Sequence, residues 1–508
     1  MGPLRPDTII LIWLLVLPFF GALCAALFPR LSLGVHSERE AEAMRRGPFL
    51  LGALASLMGL GLGISLFPSA VGGSAVTADY WWTKDLYHLR FQADALSAPV
   101  LVALCGLGLL VHLHLAGHPL TSQPHHRAAL LLAAQGCLAG CCLSADLILI
   151  CFLLQLGLLC LWRLVHLDAP GAANSMLSVT FVGSAAVLGG ALLIWVRAGD
   201  SSTAPLAMLL TAVEPSALAW MGILVLVGLL PLIASFPANG WLPRVAEEGF
   251  SLALAPALLL PVTGMCLLLR LLPGTMTLAL LPGLGVVALT LGAATLWWGA
   301  IRSLLTGSLR HLAAWLTVAQ AGPFLIALGA AANANAPSGI VRGAALQALA
   351  APVALAAVWL ATNTIRCRFG TDSIPELAGL LKRAPLASLG LLIGGLSVAG
   401  IPPFPGFHVQ RLLMSGLLAS HSYLPAVALL GADAVITIAV LDTLRRMLPE
   451  ARPPLSARWS SPWLSASVAL AVLALMLASV AFAPLATWSE QALRGVLSIS
   501  GGGLFTPR

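Results

Sequence analysis

The chain has 508 residues, of which 59% are hydrophobic and only 9% are charged, and its formal net charge is +7. Soluble proteins carry about 25% charged residues because their surfaces face water, so this composition excludes a soluble globule. Lys and Arg are scattered over the loops and form no basic stripe, which argues against a nucleic-acid partner. Apolar runs of about 20 residues recur, and a helix of that length crosses the hydrocarbon core of a bilayer. The sequence therefore predicts an all-α integral membrane protein, with the lipid bilayer as its surroundings.

About fourteen of these runs are predicted to be transmembrane helices, separated by charged or Pro- and Gly-rich segments. In chain order they cover residues 8–28, 49–67, 96–116, 128–143, 147–166, 174–196, 216–235, 250–271, 276–300, 309–331, 341–363, 385–419, 424–444 and 463–486.

Two of the predicted helices, the seventh and the twelfth, are expected to be broken inside the membrane. The twelfth run is too long for one crossing and contains three prolines within Gly400–Gly406, which remove backbone donors. The seventh ends in a similar segment, Ser235–Pro243. Broken helices at matching places are typical of inverted repeats in transporters. We therefore predict four regions: three helices in 1–126, a first inverted repeat of helices 4–8 in 127–271, a second of helices 9–13 in 272–446, and helix 14 with a tail in 447–508.

The charge of the loops predicts the orientation in the membrane. Roughly 17 of the 26 Lys and Arg residues fall on the side of the odd-numbered loops, and basic loops stay cytoplasmic. Both termini are therefore predicted on the non-cytoplasmic side of the cell's inner membrane. The nine cysteines lie almost all inside apolar runs, so they are interpreted as packing residues. The sequence contains no nucleotide, flavin or metal-ligand motif, and we predict neither a cofactor nor a metal.

Four segments in order resemble the motifs of one family: Phe91–Ser97, Phe236–Arg244, Leu309–Gly322 and Ser397–Phe407. They are similar to F-x-x-D-x-L-S, to a segment containing W-L-P, to a K-R-L-L-A-Y-S stretch and to S-L-A-G-I-P-P-F-x-G-F. Through them the chain resembles the antiporter-like membrane subunits of respiratory complex I (NADH:quinone oxidoreductase) and of Mrp-type cation/proton antiporters. The resemblance implies proton translocation within an assembly, with other membrane subunits as partners.

The same resemblance implies that most ionisable residues of the family's proton path are replaced here. The family places a glutamate in helix five and basic residues in helices seven, eight, and eleven or twelve. The matching positions of this chain hold Gln155, Leu232, Pro256, Leu355 and the pair Gln410–Arg411. Because glutamine, leucine and proline cannot carry a proton, we predict that the scaffold is kept while the relay is lost.

Asp433 and Arg411 are the main remaining candidates for a proton path. Arg411 lies about ten residues before the turn at Ser420–Leu424 and Asp433 about ten after it, so both would lie roughly 15 Å deep in a helical hairpin. We hypothesise that they form a buried ion pair, because either charge alone is costly there. A substitute ionisable site and a purely structural pair both remain open.

Four further polar residues are candidates for the same path. His408 follows the twelfth-helix break and could titrate near neutral pH. Arg310 takes the place of a family lysine, while Asp146 and Gln155 lie in the motif of the fifth helix. The five histidines between residues 112 and 126 are interpreted as part of a solvated loop.

The sequence is compatible with three functions. The first is a membrane-arm subunit of a complex I-like NADH:quinone oxidoreductase that has lost most of its relay and need not pump. The second is the membrane subunit of an inorganic-carbon uptake complex or of an Mrp-type antiporter. The third is a purely structural subunit of such an assembly.

Overall fold

The computed structural model describes residues 6–31, 38–71, 75–83, 87–119, 122–198, 214–276, 282–332, 338–448, 459, 461–482, 484 and 487–490. Its first six helices are α1 Pro6–Leu31, α2 Glu38–Val71, α3 Ser97–Ala116, α4 Pro124–Leu143, α5 Leu147–His166 and α6 Pro170–Ala198. The next six are α7 Pro215–Leu229, α8 Trp241–Glu248, α9 Leu254–Met276, α10 Pro282–Leu304, α11 Leu309–Ala331 and α12 Ser338–Phe369. The last five are α13 Leu380–Arg383, α14 Pro385–Val398, α15 Pro405–Ala419, α16 Tyr423–Met447 and α17 Pro462–Val480. Short 3-10 helices cover Ala238–Gly240, Phe250–Ala253 and Ile374–Leu377.

Twelve helices within the described residues are long and apolar enough to cross a membrane. They are α1 to α6, α9 to α12, α16 and α17. The chain is therefore a multi-pass membrane protein, as predicted from its composition. Two shorter apolar helices, α7 and α14, lie at the seventh and twelfth predicted spans. The total of fourteen crossings stays a prediction, as do the four regions into which we divided the chain.

Both predicted interruptions are present. Helix α7 ends at Leu229, and the chain turns through residues 230–237 before the 3-10 turn and α8. Helix α14 ends at Val398, and α15 begins only at Pro405. Proline and glycine dictate this outcome locally, because proline lacks the N–H that an α-helix interior requires and glycine permits the tight turn.

A β-hairpin precedes the third membrane helix and was not predicted from the sequence. Strands β1 Val76–Thr83 and β2 Tyr87–Ala93 pair antiparallel, with Val76 opposite Ala93. Phe91 also forms an isolated bridge with Ser144, at the end of α4. The hairpin thus ties the start of α3 to the start of α5, where a polar cluster described below is located.

Helices α10 and α11 pack backbone to backbone through small residues. A Cβ added at Gly292 would lie 2.6 Å from the Ile326 nitrogen, and one at Gly299 would lie 2.5 Å from the Ala319 nitrogen. Close approach through small residues is the usual basis of helix association in lipid, where apolar surface alone gives no driving force. The glycines on the two helices recur every seven residues and so share a face: Gly285, Gly292 and Gly299 on α10, and Gly322 and Gly329 on α11.

Helices α9 and α11 form the centre of the molecule. Their apolar spans, Ser251–Leu272 and Leu309–Ala331, are buried over the whole of the window that identifies them, whereas that of α17 is mostly exposed. The broken segment between α14 and α15 packs beside this centre, through a contact from α11 to the Val398 carbonyl. The architecture therefore brings an interrupted backbone, with a carbonyl that a side chain must satisfy, next to the most buried helices.

Candidate functional site

The break between α14 and α15 leaves backbone groups that side chains must satisfy. Gly400 adopts a positive φ of 71°, which glycine accommodates without strain. Gly406 approaches the Ser397 carbonyl so closely that a Cβ there would overlap the oxygen. The carbonyl of Val398 has lost its helical partner and instead accepts a hydrogen bond of 2.9 Å from Gln320 Nε2. A polar residue of the central helix α11 is thus held against the break.

Two buried amides extend this contact into α12. Gln347 Nε2 donates to Gln320 Oε1 at 2.8 Å and to the Gln320 carbonyl at 3.1 Å. Gln347 is 2% exposed and Gln320 4%. Buried amides are costly unless hydrogen-bonded, so this chain of amides joins α11, α12 and the broken segment in one arrangement.

Asp433 lies on the other side of the break. It is ten residues after the start of α16 and fourteen before its end. No other carboxylate in the described membrane helices lies more than two turns from both helix ends. Gln410 Nε2, on α15, donates to Asp433 Oδ1 at 3.2 Å, and Asp433 Oδ2 lies beside Gly400. The carboxyl group therefore has one amide donor in the described structure.

The predicted ion pair between Asp433 and Arg411 is wrong. The described residues show no contact between them, since Gln410 occupies the position facing Asp433 and Arg411 is exposed on the outer side of α15. Consecutive helical residues point about 100° apart, so only one of the two can face α16. Counting residues from the turn gives the depth of Arg411 in the membrane, but it does not give the direction in which the side chain points.

His408 and Arg310 lie away from Asp433. The His408 ring stacks on Phe482 with centroids 4.2 Å apart, and its Nδ1 has no partner among the described residues. Arg310 forms an ion pair of 2.9 Å with Asp372 and donates to the Glu247 carbonyl at 2.8 Å. Arg310 therefore connects the start of α11 to the end of α8 and to the loop after α12.

Asp146 and Gln155 also lie away from Asp433 and from the break between α14 and α15. Asp146 caps the N-terminus of α5 by accepting a hydrogen bond of 2.8 Å from the Leu149 nitrogen. Such capping is a frequent structural role of aspartate. Gln155 is half-buried on α5 and has no hydrogen-bond partner within the described part of the chain.

Three of the positions matched to the family's basic residues are apolar and buried. Leu232 is fully buried at the first break, and Leu355 is 2% exposed on α12. Pro256 is buried near the start of α9. None of these side chains can take up or release a proton.

A buried ionic contact between Arg270 and Asp94 was not predicted from the sequence. Arg270 on α9 has a side chain only 4% exposed and lies 2.5 Å from Asp94, just before α3. Its guanidinium also donates to the carbonyls of Cys142 and Ser144. Asp94 accepts hydrogen bonds from the backbone and the hydroxyl of Ser97, at 2.8 and 2.9 Å. Burial opposes ionisation, but Arg270 and Ser97 outweigh it and hold the pKa of Asp94 below its usual value. In the sequence, the spacing Asp-x-x-Ser indicates the contact between Asp94 and Ser97, but it does not indicate the pairing with Arg270.

The interpretation of the histidines near residue 112 as part of a solvated loop is wrong for three of them, since His118 is also buried, at 8% exposed. His112 and His114 are fully buried within α3. His112 Nδ1 lies 2.7 Å from the Gly108 carbonyl, and His114 Nδ1 lies 3.1 Å from Ser467 Oγ. Both histidines are therefore buried side chains of α3 with a partner for Nδ1, and neither belongs to a solvated loop.

Residues 144–437 match the family described as NADH:quinone oxidoreductase/Mrp antiporter, transmembrane. The chain belongs to this family. The matched range includes both helix breaks, the amide chain and Asp433.

Two curated relatives illustrate the two branches. A Na(+)/H(+) antiporter subunit A1 of Staphylococcus saprophyticus is 28% identical over 312 residues, covering 58% of this chain and 38% of the relative. An NADH-quinone oxidoreductase subunit N of Desulforudis audaxviator is 26% identical over 440 residues, covering 84% of this chain and 83% of the relative. The match thus spans less than half of the antiporter subunit's length and most of the oxidoreductase subunit's.

Solved structures share the fold over almost the whole chain. A chain of the archaeal membrane-bound sulfane sulfur reductase superposes with a TM-score of 0.84 at 17% identity, covering 97% of this chain and 98% of that one. The Mrp complex of a Dietzia species gives 0.82 at 19%, with coverages of 97% and 99%. Respiratory complex I of Thermus thermophilus gives 0.77 at 20%, with coverages of 97% and 100%. At these identities the likeness concerns the fold alone.

Proposed function

We propose that this chain is a membrane subunit of a complex I-like or Mrp-type assembly that does not conduct protons through a relay of its own. It would take its place beside other membrane subunits, which transport the ion. One observation carries this proposal: buried apolar side chains fill three of the matched basic positions, at Leu232, Pro256 and Leu355, and Asp433 is the one deep carboxylate in the described membrane helices.

A proton path through the membrane must be continuous. Proton transfer requires titratable or hydrated groups within hydrogen-bond reach of each other. At the first break the matched position is Leu232, fully buried, and at the second it is Gln410, whose amide donates to Asp433. Gln320 and Gln347 add polar groups but no titratable ones. Within the described part of the chain, Asp433 thus has the Gln410 amide as its hydrogen-bond donor and no titratable partner.

The expected result of Asp433→Asn is a nearly unchanged rate of proton transport. The substitution keeps an acceptor for the Gln410 amide, so the assembly should form normally. We expect the rate of proton movement by the purified assembly in proteoliposomes to stay within about threefold of wild type, whereas loss of a relaying group typically removes a hundredfold or more.

Asp442→Asn is the matched control, since Asp442 lies on the same helix near its end and pairs with Arg445 and Arg446. A loss of transport well beyond threefold in Asp433→Asn alone, with assembly intact, would place Asp433 on a conducting path and overturn the proposal.

The choice between the two branches depends on the partner subunits. Affinity purification of the full chain from its native membrane, followed by mass spectrometry, should recover either quinone-site and iron–sulfur subunits or the other subunits of a cation/proton antiporter. Recovery of the chain alone would contradict its membership of an assembly.

The proposed orientation places both termini on the non-cytoplasmic side, supported by the basic residues of the odd-numbered loops. Reporter fusions at residue 508 should then be active only for a reporter that requires export.

A further inference from the structure

A groove of about 390 Å³ opens between the start of α14 and the last turns of α16. Its walls are mostly aliphatic and include Leu389, Leu392 and Leu441. This volume lies within the roughly 300–1,000 Å³ of ordinary ligand sites. Contact with bulk lipid requires only a flat apolar surface. The concave shape of the groove therefore points to a single bound molecule.

The mouth of the groove is cationic. Arg445 lines it, with a side chain 76% exposed, and the neighbouring Arg446 is 49% exposed. Both pair with Asp442, at 2.8 and 2.6 Å, so one carboxylate is shared by two guanidinium groups. Lys382 and Arg383 on α13 immediately precede the groove wall at Pro385. Among the described residues beside this end of the groove, Arg445 and Arg446 outnumber the single carboxylate Asp442, which favours an anion.

Two further features of the groove favour a polar ligand group. Ser388, only 5% exposed, lines it, and its hydroxyl has no partner among the described residues. A buried hydroxyl without a partner costs free energy and calls for an acceptor. Pro385 begins α14, so the positive end of that helix dipole also faces the mouth.

We propose that this groove holds one anionic phospholipid. Its phosphate would lie at the mouth, against Arg445 and the start of α14. A glycerol ester oxygen would accept the Ser388 hydroxyl, and one acyl chain would lie along Leu389, Leu392 and Leu441. Basic pockets beside membrane helices favour anionic lipid headgroups in general. The inference is independent of whether the chain conducts protons.

The test uses the complete assembly, stripped of lipid in detergent and resupplied with dioleoyl phosphatidylglycerol or dioleoyl phosphatidylcholine. Native mass spectrometry then counts the retained lipids, and a photoreactive phosphatidylglycerol identifies the contacted peptides. We expect tighter retention of the anionic lipid, with crosslinks on α14 and α16. Arg445→Gln should weaken its binding about fivefold, the effect of one basic residue near a lipid surface, and Leu441→Trp should block the groove.

Matched controls separate the site from general effects. Arg163→Gln removes an exposed arginine at the end of α5, and Leu477→Trp enlarges an exposed residue of α17. Both should leave retention unchanged. Arg445→Gln leaves Asp442 paired with Arg446, so the fold should persist, and thermal unfolding in zwitterionic lipid verifies this. Equal retention of the two lipids, unchanged binding by Arg445→Gln, or crosslinks showing a neighbouring subunit's helix in the groove would each overturn the proposal.

Discussion

Asp94→Ala should destabilise the protein by about 3–5 kcal/mol, because it leaves the buried Arg270 guanidinium without its counter-charge. Arg270 is enclosed on α9, and its remaining partners are two backbone carbonyls. The expected result is a large fall in the thermal unfolding temperature in detergent and a low yield of inserted protein. Both can be followed by the fluorescence of a C-terminal fusion during size-exclusion chromatography.

Glu42→Gln provides the matched control. Glu42 also lies 2.5 Å from an arginine, Arg46, but both side chains are partly exposed. Exposed pairs contribute at most about 1 kcal/mol. Replacing both Asp94 and Arg270 by apolar residues should recover part of the loss, since no charge then stays buried alone. If Asp94→Ala were no more destabilising than Glu42→Gln, the buried pair of Asp94 and Arg270 would not contribute more than an exposed pair.

Acid should reduce the contribution of Asp94. The pKa of this carboxyl is lowered in the folded protein by Arg270 and Ser97, against the effect of burial. A depressed folded-state pKa gives stability that is complete above the unfolded value of about 3.9 and is lost as pH falls through the lower folded value. The difference in unfolding temperature between wild type and Asp94→Asn should therefore be constant near neutral pH and shrink below about pH 4. An unchanged difference in acid would contradict an ionised Asp94.

Gly406→Ala should have the second large effect, because its Cβ would overlap the Ser397 carbonyl oxygen. The start of α15 and the end of α14 would have to separate, which disturbs the Val398 carbonyl and its bond to Gln320. Overpacking of this kind costs about 1–3 kcal/mol, and occasionally more. The measurement is the thermal unfolding temperature together with the yield of assembled complex.

Gly240→Ala tests whether this effect is specific. Gly240 lies at the first break, on the 3-10 turn before α8, and no atom lies within 4 Å of where its Cβ would be. Neither glycine has a positive φ, so the comparison isolates steric contact from backbone freedom. We expect Gly240→Ala to stay within about 0.5 kcal/mol of wild type. Similar losses in both variants would show that the breaks are sensitive to any added bulk.

Local sequence predicted the helix breaks well. Pro402, Pro403 and Pro405 remove three N–H donors in four residues, and no tertiary contact can restore them. The β-hairpin was missed because its two strands, of eight and seven residues, give a short pattern between two long apolar runs. The lengths of α2 and α12 were underestimated, because each continues beyond its apolar run into charged residues.

The candidate site was predicted only in part. Asp433 was found because a carboxylate far from both helix ends is conspicuous in an apolar run. Its partner was misassigned by one residue, Arg411 for Gln410, since sequence gives depth along a helix but not the direction that packing imposes. Gln320 and Gln347 were not singled out, because neutral amides in apolar runs give no signal until a broken backbone faces them.

By itself, the sequence determined that this protein lies in the membrane, that its elements are helices, and where two of them break. These features follow from hydropathy and from backbone chemistry, which act over a few residues to about twenty. Only the tertiary structure decided which polar groups meet. Arg270 pairs with Asp94 across 176 positions of the chain, and Gln410 rather than Arg411 faces Asp433. Such contacts depend on how each helix is rotated about its axis, and that rotation is set by close packing among all the helices.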